Sequence, residues 1–139
     1  MFKRLAHICI GATDLQATSD FYCDILGLKK QFKFDRDGEI IGFYLFIGET
    51  TFIEVFADST SPAREQGQLL LKHFCLEVND MDEVITTIRA KGGEITDKKF
   101  GIDNAWQAWL TDPSGVEIEL HQYTSESSHF TGQDCVVDW

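Results

Sequence analysis

The chain has 139 residues, 43% of them hydrophobic, which suffices for one globular domain with its own core. Its formal net charge of -11 would repel phosphate backbones and anionic lipids, so we expect neither nucleic acid nor membrane surfaces as partners. An anionic small substrate is still compatible with this charge, because a bound cation can reverse the local sign. We see no signal peptide and no apolar run of membrane-spanning length, and we expect a cytoplasmic protein.

The four cysteines are Cys9, Cys23, Cys75 and Cys135, and none of them forms a CxxC pair. Cys9 and Cys75 each lie within an apolar run. We therefore expect buried, reduced thiols of a cytosolic protein.

The first half of the chain predicts a strand, a helix and three more strands. An apolar segment at 4–11 predicts the first strand, and Thr13 or Asp14 predicts the cap of a helix that ends at Gly27. The next strands are predicted at 29–35, 40–48 and 51–57, with hairpin-type turns between them. Residues 58–69 are typical of a connecting loop.

The second half predicts the same order of elements. A strand at 71–79 is followed by a helix that Asp80 caps and Gly92-Gly93 ends. Further strands are predicted at 94–100, 105–111 and 116–121, and a polar tail begins at Gln122.

The two halves form an internal repeat. An offset of 66 residues takes His7 to His73, Cys9 to Cys75 and Asp14 to Asp80. Later in each half, an offset of 65 takes Glu54 to Glu119. Such self-similarity predicts an α+β fold made of two βαβββ modules related by a pseudo-two-fold axis. We expect a single domain at 1–139, with module one at 4–57, module two at 70–122 and a C-terminal tail at 123–139.

The repeat places one histidine and one glutamate at matching positions of each half. Taken alone, Glu54 or Glu119 is better explained as a solvent-facing strand residue, and His7 as a hydrogen-bonded core or edge residue. Together, the matching positions predict one divalent cation held by His7, Glu54, His73 and Glu119. Two imidazoles and two carboxylates suit nickel, cobalt or zinc, and also manganese or iron.

Other candidate residues give weaker signals. His121 and His129 are interpreted as solvated surface residues. Trp106 and Trp109 could wall a pocket, but core packing explains an aromatic pair there at least as well.

On these motifs the sequence resembles the vicinal oxygen chelate superfamily, and within it glyoxalase I, over residues 4–123. The opening pattern is His7, Asp14-Leu15, Phe21-Tyr22 and Leu26-Gly27-Leu28. The closing pattern is Asp112-Pro113-Ser114-Gly115 followed by Ile118-Glu119-Leu120. The resemblance implies paired βαβββ modules, an open U-shaped mixed sheet around a metal site, and a homodimer.

The resemblance also implies a reaction. Glyoxalase I enzymes use a His, Glu, His, Glu ligand set, which matches all four residues here and predicts a lactoylglutathione lyase-like enzyme. In this class Glu119 or Glu54 would move a proton next to a metal-bound carbonyl of a small molecule with vicinal oxygens.

Two other functions stay open. One is an extradiol-type, ring-cleaving dioxygenase that uses His7, His73 and Glu119. The other is a metal-free small-molecule binding protein of the drug-resistance type. In addition, Gly11 stands where small bacterial glyoxalase I enzymes carry an arginine, and Asp58 where an asparagine is expected. These departures leave open whether the substrate is a glutathione adduct.

Overall fold

The computed structural model describes residues 3–58 and 72–136. The chain divides into two compact units, one made of residues 1–69 with 112–116 and the other of residues 70–111 with 117–139. Each unit contains one four-stranded mixed sheet. All of the loop predicted at 58–69 except residue 58 lies outside the described residues.

In the first unit, one helix is inserted between the first strand and a three-stranded antiparallel run. The sheet order is β1-β4-β3-β2, in which β1 pairs with β4 in parallel and the other neighbours are antiparallel. The helix α1 continues directly into a π-helical turn at Phe21–Ile25. The elements are β1 His7–Ala12, α1 Leu15–Asp20, β2 Lys29–Arg36, β3 Glu39–Gly48 and β4 Thr51–Ala57.

The second unit repeats this arrangement with the sheet order β5-β8-β7-β6. Here β5 pairs with β8 in parallel, and β8–β7 and β7–β6 are antiparallel. A short helix follows the last strand. The elements are β5 Phe74–Glu77, α2 Met81–Ala90, β6 Lys99–Phe100, β7 Trp106–Thr111, β8 Glu117–Gln122 and α3 Ser128–Thr131.

The predicted fold class is confirmed: the chain folds as α+β, with two βαβββ modules. In each sheet one face is apolar and buried, because side chains alternate between faces along a strand. The core of the first unit includes the buried Phe21 and Tyr22, and that of the second includes the buried α2 residues Met81, Ile85 and Ile88. The opposite faces carry the predicted metal ligands Glu54, in the first unit, and Glu119, in the second.

Both predicted helix caps are confirmed. The Asp14 carboxylate accepts a hydrogen bond from the Ala17 amide at 2.9 Å, and that of Asp80 accepts one from the Glu83 amide at 3.0 Å. Each carboxylate satisfies an amide that the helix itself leaves without a partner. The repeat therefore extends to how each helix begins.

Several elements differ from the prediction, beginning with the first strand, which was predicted at 4–11 and is His7–Ala12. The strand predicted at 94–100 is reduced to Lys99–Phe100. The Thr96 amide donates to the Trp109 carbonyl at 2.9 Å, but the Trp109 amide donates to the Thr96 hydroxyl at 2.9 Å, so only one of these two hydrogen bonds joins backbone to backbone. The strand predicted at 71–79 is Phe74–Glu77, so His73 immediately precedes it. The helix α3 lies within the predicted polar tail, where a four-residue helix has too little periodicity to be recognised.

The Asp112–Gly115 turn belongs to the first unit. The Asp112 side chain accepts hydrogen bonds from the amides of Ser114 and Val116, both at 2.8 Å, and from the Tyr22 hydroxyl at 3.2 Å. Burial raises the pKa of Asp112, while these three hydrogen bonds oppose the rise.

No helix in the described part of the chain is both long and apolar enough to cross a membrane.

Candidate metal-binding site

The open face of the first sheet brings His7 and Glu54 together. His7 and Cys9 are two residues apart on β1 and share this face, and Cys9 is the register partner of Glu54 on β4. His7 Nε2 lies 3.7 Å from Glu54 Oε2. The Glu54 side chain is 17% exposed, although apolar residues flank it along the strand. A carboxylate in this position is costly unless it is paired or binds a cation.

Tyr44 is a neighbour of both residues. It is the register partner of Glu54 on β3, and its ring meets the His7 ring edge-on at 5.6 Å. Loss of hydration raises the pKa of Tyr44, and the hydrogen bond to Glu54 and its negative charge raise it further. The raised pKa keeps the phenol protonated, so that it can donate a hydrogen bond to the Glu54 carboxylate.

The second unit contains the equivalent pair. His73 Nε2 lies 3.2 Å from Glu119 Oε2, and Glu119 is 8% exposed. Glu119 pairs in register with Cys75 on β5 and with Trp109 on β7, and the His73 and Trp109 rings meet edge-on at 4.8 Å. Trp109 thus contacts a predicted ligand. Each unit has the same set of a histidine, a cysteine, a glutamate and an aromatic ring.

The expectation of buried thiols is wrong: Cys9, Cys75 and Cys135 are exposed, and Cys23 is half-buried. Cys9 and Cys75 each share a face with the histidine two residues earlier rather than with the core. Even so, the protein around each sulphur removes enough water to raise the pKa of Cys9 to about 11 and that of Cys75 to about 12. The hydrogen bond and negative charge of Glu54 raise the pKa of Cys9 further, and those of Glu119 raise the pKa of Cys75 further.

An aromatic surface surrounds the first pair. Phe32 stacks on Tyr44 at 4.5 Å between ring centroids, and Phe34 stacks on Phe56 at 4.7 Å. Phe32 is 47% exposed, so this surface is open to a ligand within its own unit. In the sequence, the aromatic surface was indicated by two phenylalanines spaced two residues apart on β2, a spacing that is equally typical of a strand face buried in the core.

The expectation that His121 is a solvated surface residue is wrong, whereas His129 is exposed as expected. His121 is 6% exposed, and its Nε2 contacts Glu119 Oε1 at 3.1 Å. It lies on the same face as Glu119 because the two are separated by two residues on β8. Cys75, Glu119 and His121 consequently form a compact group of potential metal-ligand atoms.

The residues present fit a divalent transition metal. Each histidine–glutamate pair offers one imidazole nitrogen and one carboxylate oxygen, and both glutamates are largely withdrawn from water. This mixed donor set is suited to nickel, cobalt or zinc. His7 and Glu54 lie in the first unit, and His73 and Glu119 lie in the second. A single site shared by all four residues stays a prediction.

Comparison with known proteins identifies the class. The sequence profile of the Glyoxalase/Bleomycin resistance protein/Dioxygenase superfamily matches residues 4–120. The chain belongs to this superfamily, as the resemblance of its motifs implied.

Individual relatives are similar at low identity. A protein of Synechocystis named as a probable lactoylglutathione lyase is 30% identical over 128 residues, which cover 88% of this chain and 97% of that protein. Lactoylglutathione lyase GLX1 of Arabidopsis thaliana is 26% identical over 125 residues, and the match covers 86% of this chain but only 44% of that protein. The crystal structure of a glyoxalase family protein from Enterococcus faecalis matches with a TM-score of 0.75 at 28% identity, covering 86% of this chain and 98% of that one.

Proposed function

We propose that the protein is a metal-dependent, glyoxalase-like lyase or isomerase that moves a proton next to a carbonyl group of a small molecule with vicinal oxygens. The observation that carries this proposal is the equivalence of the two histidine–glutamate contacts, His7–Glu54 and His73–Glu119. The relatives named lactoylglutathione lyase support the same reaction class. We expect the enzyme to act in the cytoplasm.

The four residues His7, Glu54, His73 and Glu119 would together hold one divalent cation. When bound, such a cation acts as a Lewis acid that stabilises negative charge on substrate oxygens. Nickel, cobalt and zinc suit the donor set best, and manganese or iron are alternatives.

The chain's own carboxylates would move the proton. Glu54 and Glu119 are the candidate bases, because both are ionisable groups on an open sheet face with little exposure of their own. The protonated Tyr44 hydroxyl would hold Glu54, and the His121 ring would hold Glu119. The stacked aromatic rings beside Glu54 would exclude water and pack against the apolar part of a substrate.

Metal binding tests the first part of the proposal. We expect EDTA-treated protein to bind Ni²⁺ tightly, and we expect His7→Ala and His73→Ala each to weaken this binding at least tenfold. Phe46→Ala, a change on the neighbouring strand β3 that removes no potential metal-ligand atom, is the matched control and should bind Ni²⁺ as the wild type does. Tight Ni²⁺ binding that neither histidine variant weakens would refute the four-residue site.

Activity separates the proposal from its alternatives. Deuterium exchange at the carbon next to a carbonyl, assayed with the hemithioacetal of methylglyoxal and glutathione, would support the lyase or isomerase. Oxygen consumption with a catechol would instead support a dioxygenase that uses His7, His73 and Glu119. Tight binding of an aromatic drug without turnover and without metal would support the binding protein.

We further propose a homodimer, on the basis of the family resemblance. Sedimentation equilibrium at micromolar concentration should give a mass near twice the 15.8 kDa of one chain. A mass of one chain under these conditions would contradict the proposal.

A further inference from the structure

A second cluster of metal-ligand groups lies within the second unit, outside the four residues of the proposed metal site. Asp103 Oδ2 lies 4.0 Å from His121 Nε2 and 4.0 Å from His129 Nε2. One potential ligand atom from each of these three residues lies within 4.8 Å of the other two. The contact of His121 with Glu119 joins this cluster to the proposed site.

The Asp103 carboxylate is held in place by its own loop. Its Oδ1 accepts hydrogen bonds from the Ala105 amide at 3.2 Å and from Gln107 Nε2 at 3.3 Å. The same Gln107 nitrogen also lies 3.4 Å from Oδ2. Asp103 is therefore oriented, and Oδ2, the oxygen that faces the two imidazoles, retains capacity for a further partner.

The helix that carries His129 is attached to the same loop. The Ser128 amide donates to the Asp103 carbonyl at 2.8 Å, and the hydroxyls of Ser127 and Thr124 both donate to the Asn104 carbonyl at 2.8 Å. The Ser127 side chain is fully buried. Three hydrogen bonds thus fix the start of α3 beside Asp103, so the approach of His129 to Asp103 is a built feature of the fold.

His121 lies between two carboxylates and is enclosed by the protein, with its side chain 7% exposed. Its Nε2 atom lies 3.1 Å from Glu119 Oε1 and 4.0 Å from Asp103 Oδ2. Nε2 is therefore the ring nitrogen that would bind a cation beside Asp103, and it would exchange its contact with Glu119 for the metal. The proton of the neutral ring would then reside on Nδ1, which has no hydrogen-bond partner among the described residues.

We propose that Asp103, His121 and His129 form a second divalent-cation site, suited to zinc, cobalt or nickel. Metal–ligand distances of about 2.0–2.2 Å place ligand atoms roughly 3–3.6 Å from each other. The observed separations of 4.0 Å are slightly wider, so one ligand must move inward. His129 can make this movement because its side chain is 40% exposed, whereas Asp103 and His121 are enclosed. This inference is independent of the proposed reaction.

Zinc titration of EDTA-treated protein by calorimetry tests the second site. We expect the wild type to bind two equivalents of Zn²⁺, and His129→Ala and Asp103→Asn each to lose one of them or bind it at least tenfold more weakly. Phe130→Ala and Asp134→Asn are the matched controls, since they alter exposed neighbours on the same C-terminal segment. Melting curves in EDTA confirm that each variant is folded.

A His7→Ala/His73→Ala double variant distinguishes the two sites. It leaves Asp103, His121 and His129 intact, so it should still bind one equivalent of Zn²⁺, and adding His129→Ala should abolish that equivalent. This outcome would hold even if the proposed catalytic site failed. Zinc binding that is the same in wild type, His129→Ala and Asp103→Asn would overturn the second site, whatever the total number of equivalents.

Discussion

Asp58 stands directly against Gly11. A Cβ atom on residue 11 would lie 3.1 Å from the Asp58 Cβ and 3.2 Å from its Oδ2. The Asp58 amide also donates to the Ala12 carbonyl at 2.8 Å, so the two segments are fixed side by side. These are the two positions at which the chain departs from the glyoxalase I pattern. The two positions are adjacent in the structure, so the Asp58 carboxylate lies beside the position at which the family resemblance implies an arginine.

We therefore expect Asp58→Asn to improve the binding of glutathione derivatives. Removal of a like charge about 4 Å from a ligand carboxylate gains about 1 kcal/mol in a well-hydrated site, or roughly a fivefold lower Kd. The measurement is calorimetric titration with S-hexylglutathione, and Glu39→Gln, an exposed change in the same unit, is the control. An unchanged Kd would show that Asp58 does not face the ligand.

A glutamate that moves the proton should be replaceable by glutamine without loss of metal. Glu54→Gln and Glu119→Gln keep a side-chain oxygen but lose basicity, so at least one should retain Ni²⁺ and lose roughly 10²–10⁴-fold in kcat. Glu117→Gln, on the same strand as Glu119, is the control and should keep most of its activity. Deuterium exchange should fall in parallel with kcat. Full exchange in both variants would show that neither carboxylate is the base.

The repeat was the feature of the sequence that predicted most. It placed the histidines and glutamates at matching positions, and the structure pairs Cys9 with Glu54 and Cys75 with Glu119 in the same register. The positions of the strands along the chain and the helix caps followed from local chemistry, because apolar patterning and a capping aspartate act within a few residues.

The surroundings of the site were harder to predict. Tyr44 contacts His7 only because β3 pairs with β4, and register across strands cannot be read from one strand's pattern. His121 was correctly predicted at the end of a strand but interpreted as solvated, because a strand's own pattern does not show that the His121 ring contacts Glu119 and is enclosed. Cys9 was misassigned because an apolar run does not show which face of a strand is buried.

Cys9 should react slowly with alkylating reagents despite its exposure. Its pKa of about 11, raised from the usual 9.0, lowers the thiolate fraction about 100-fold below pH 9. The greater nucleophilicity of a more basic thiolate offsets part of this, which leaves a rate about tenfold below that of the unfolded chain. The rate should increase with pH up to about 11.

The measurement is the rate of iodoacetamide modification of the Cys9 peptide, followed by mass spectrometry in folded and urea-unfolded protein. Glu54→Gln should accelerate the reaction, because it removes the charge that helps to raise the thiol pKa. Equal rates in the folded and unfolded chains would contradict the raised pKa.

The buried contact of Tyr22 with Asp112 predicts opposite pH effects for two variants. Burial raises the pKa of Asp112, so the folded state binds its proton more tightly than the unfolded state does. The contribution of Asp112 to stability is therefore largest below the usual pKa of 3.8 and falls as pH rises through the raised value. Asp112→Asn lacks this titration. The free energy of unfolding of Asp112→Asn minus that of the wild type should therefore increase as pH rises from the usual pKa of 3.8 through the raised pKa of Asp112.

Tyr22→Phe should show the reverse trend, because the lost hydrogen bond favours the ionised form of Asp112. At pH 7 Tyr22→Phe should lower the free energy of unfolding by about 1–3 kcal/mol, because the buried carboxylate then has one hydrogen-bond donor fewer. The decrease should be smaller at a pH where Asp112 is protonated. Urea unfolding of both variants and wild type from pH 3.5 to 7 measures the two differences. Phe21→Leu, an apolar change beside Tyr22, is the control, and its difference should not depend on pH. Parallel slopes for Asp112→Asn and Tyr22→Phe would mean that the hydroxyl does not stabilise the carboxylate, and the raised pKa of Asp112 would then reflect burial without this opposing contact.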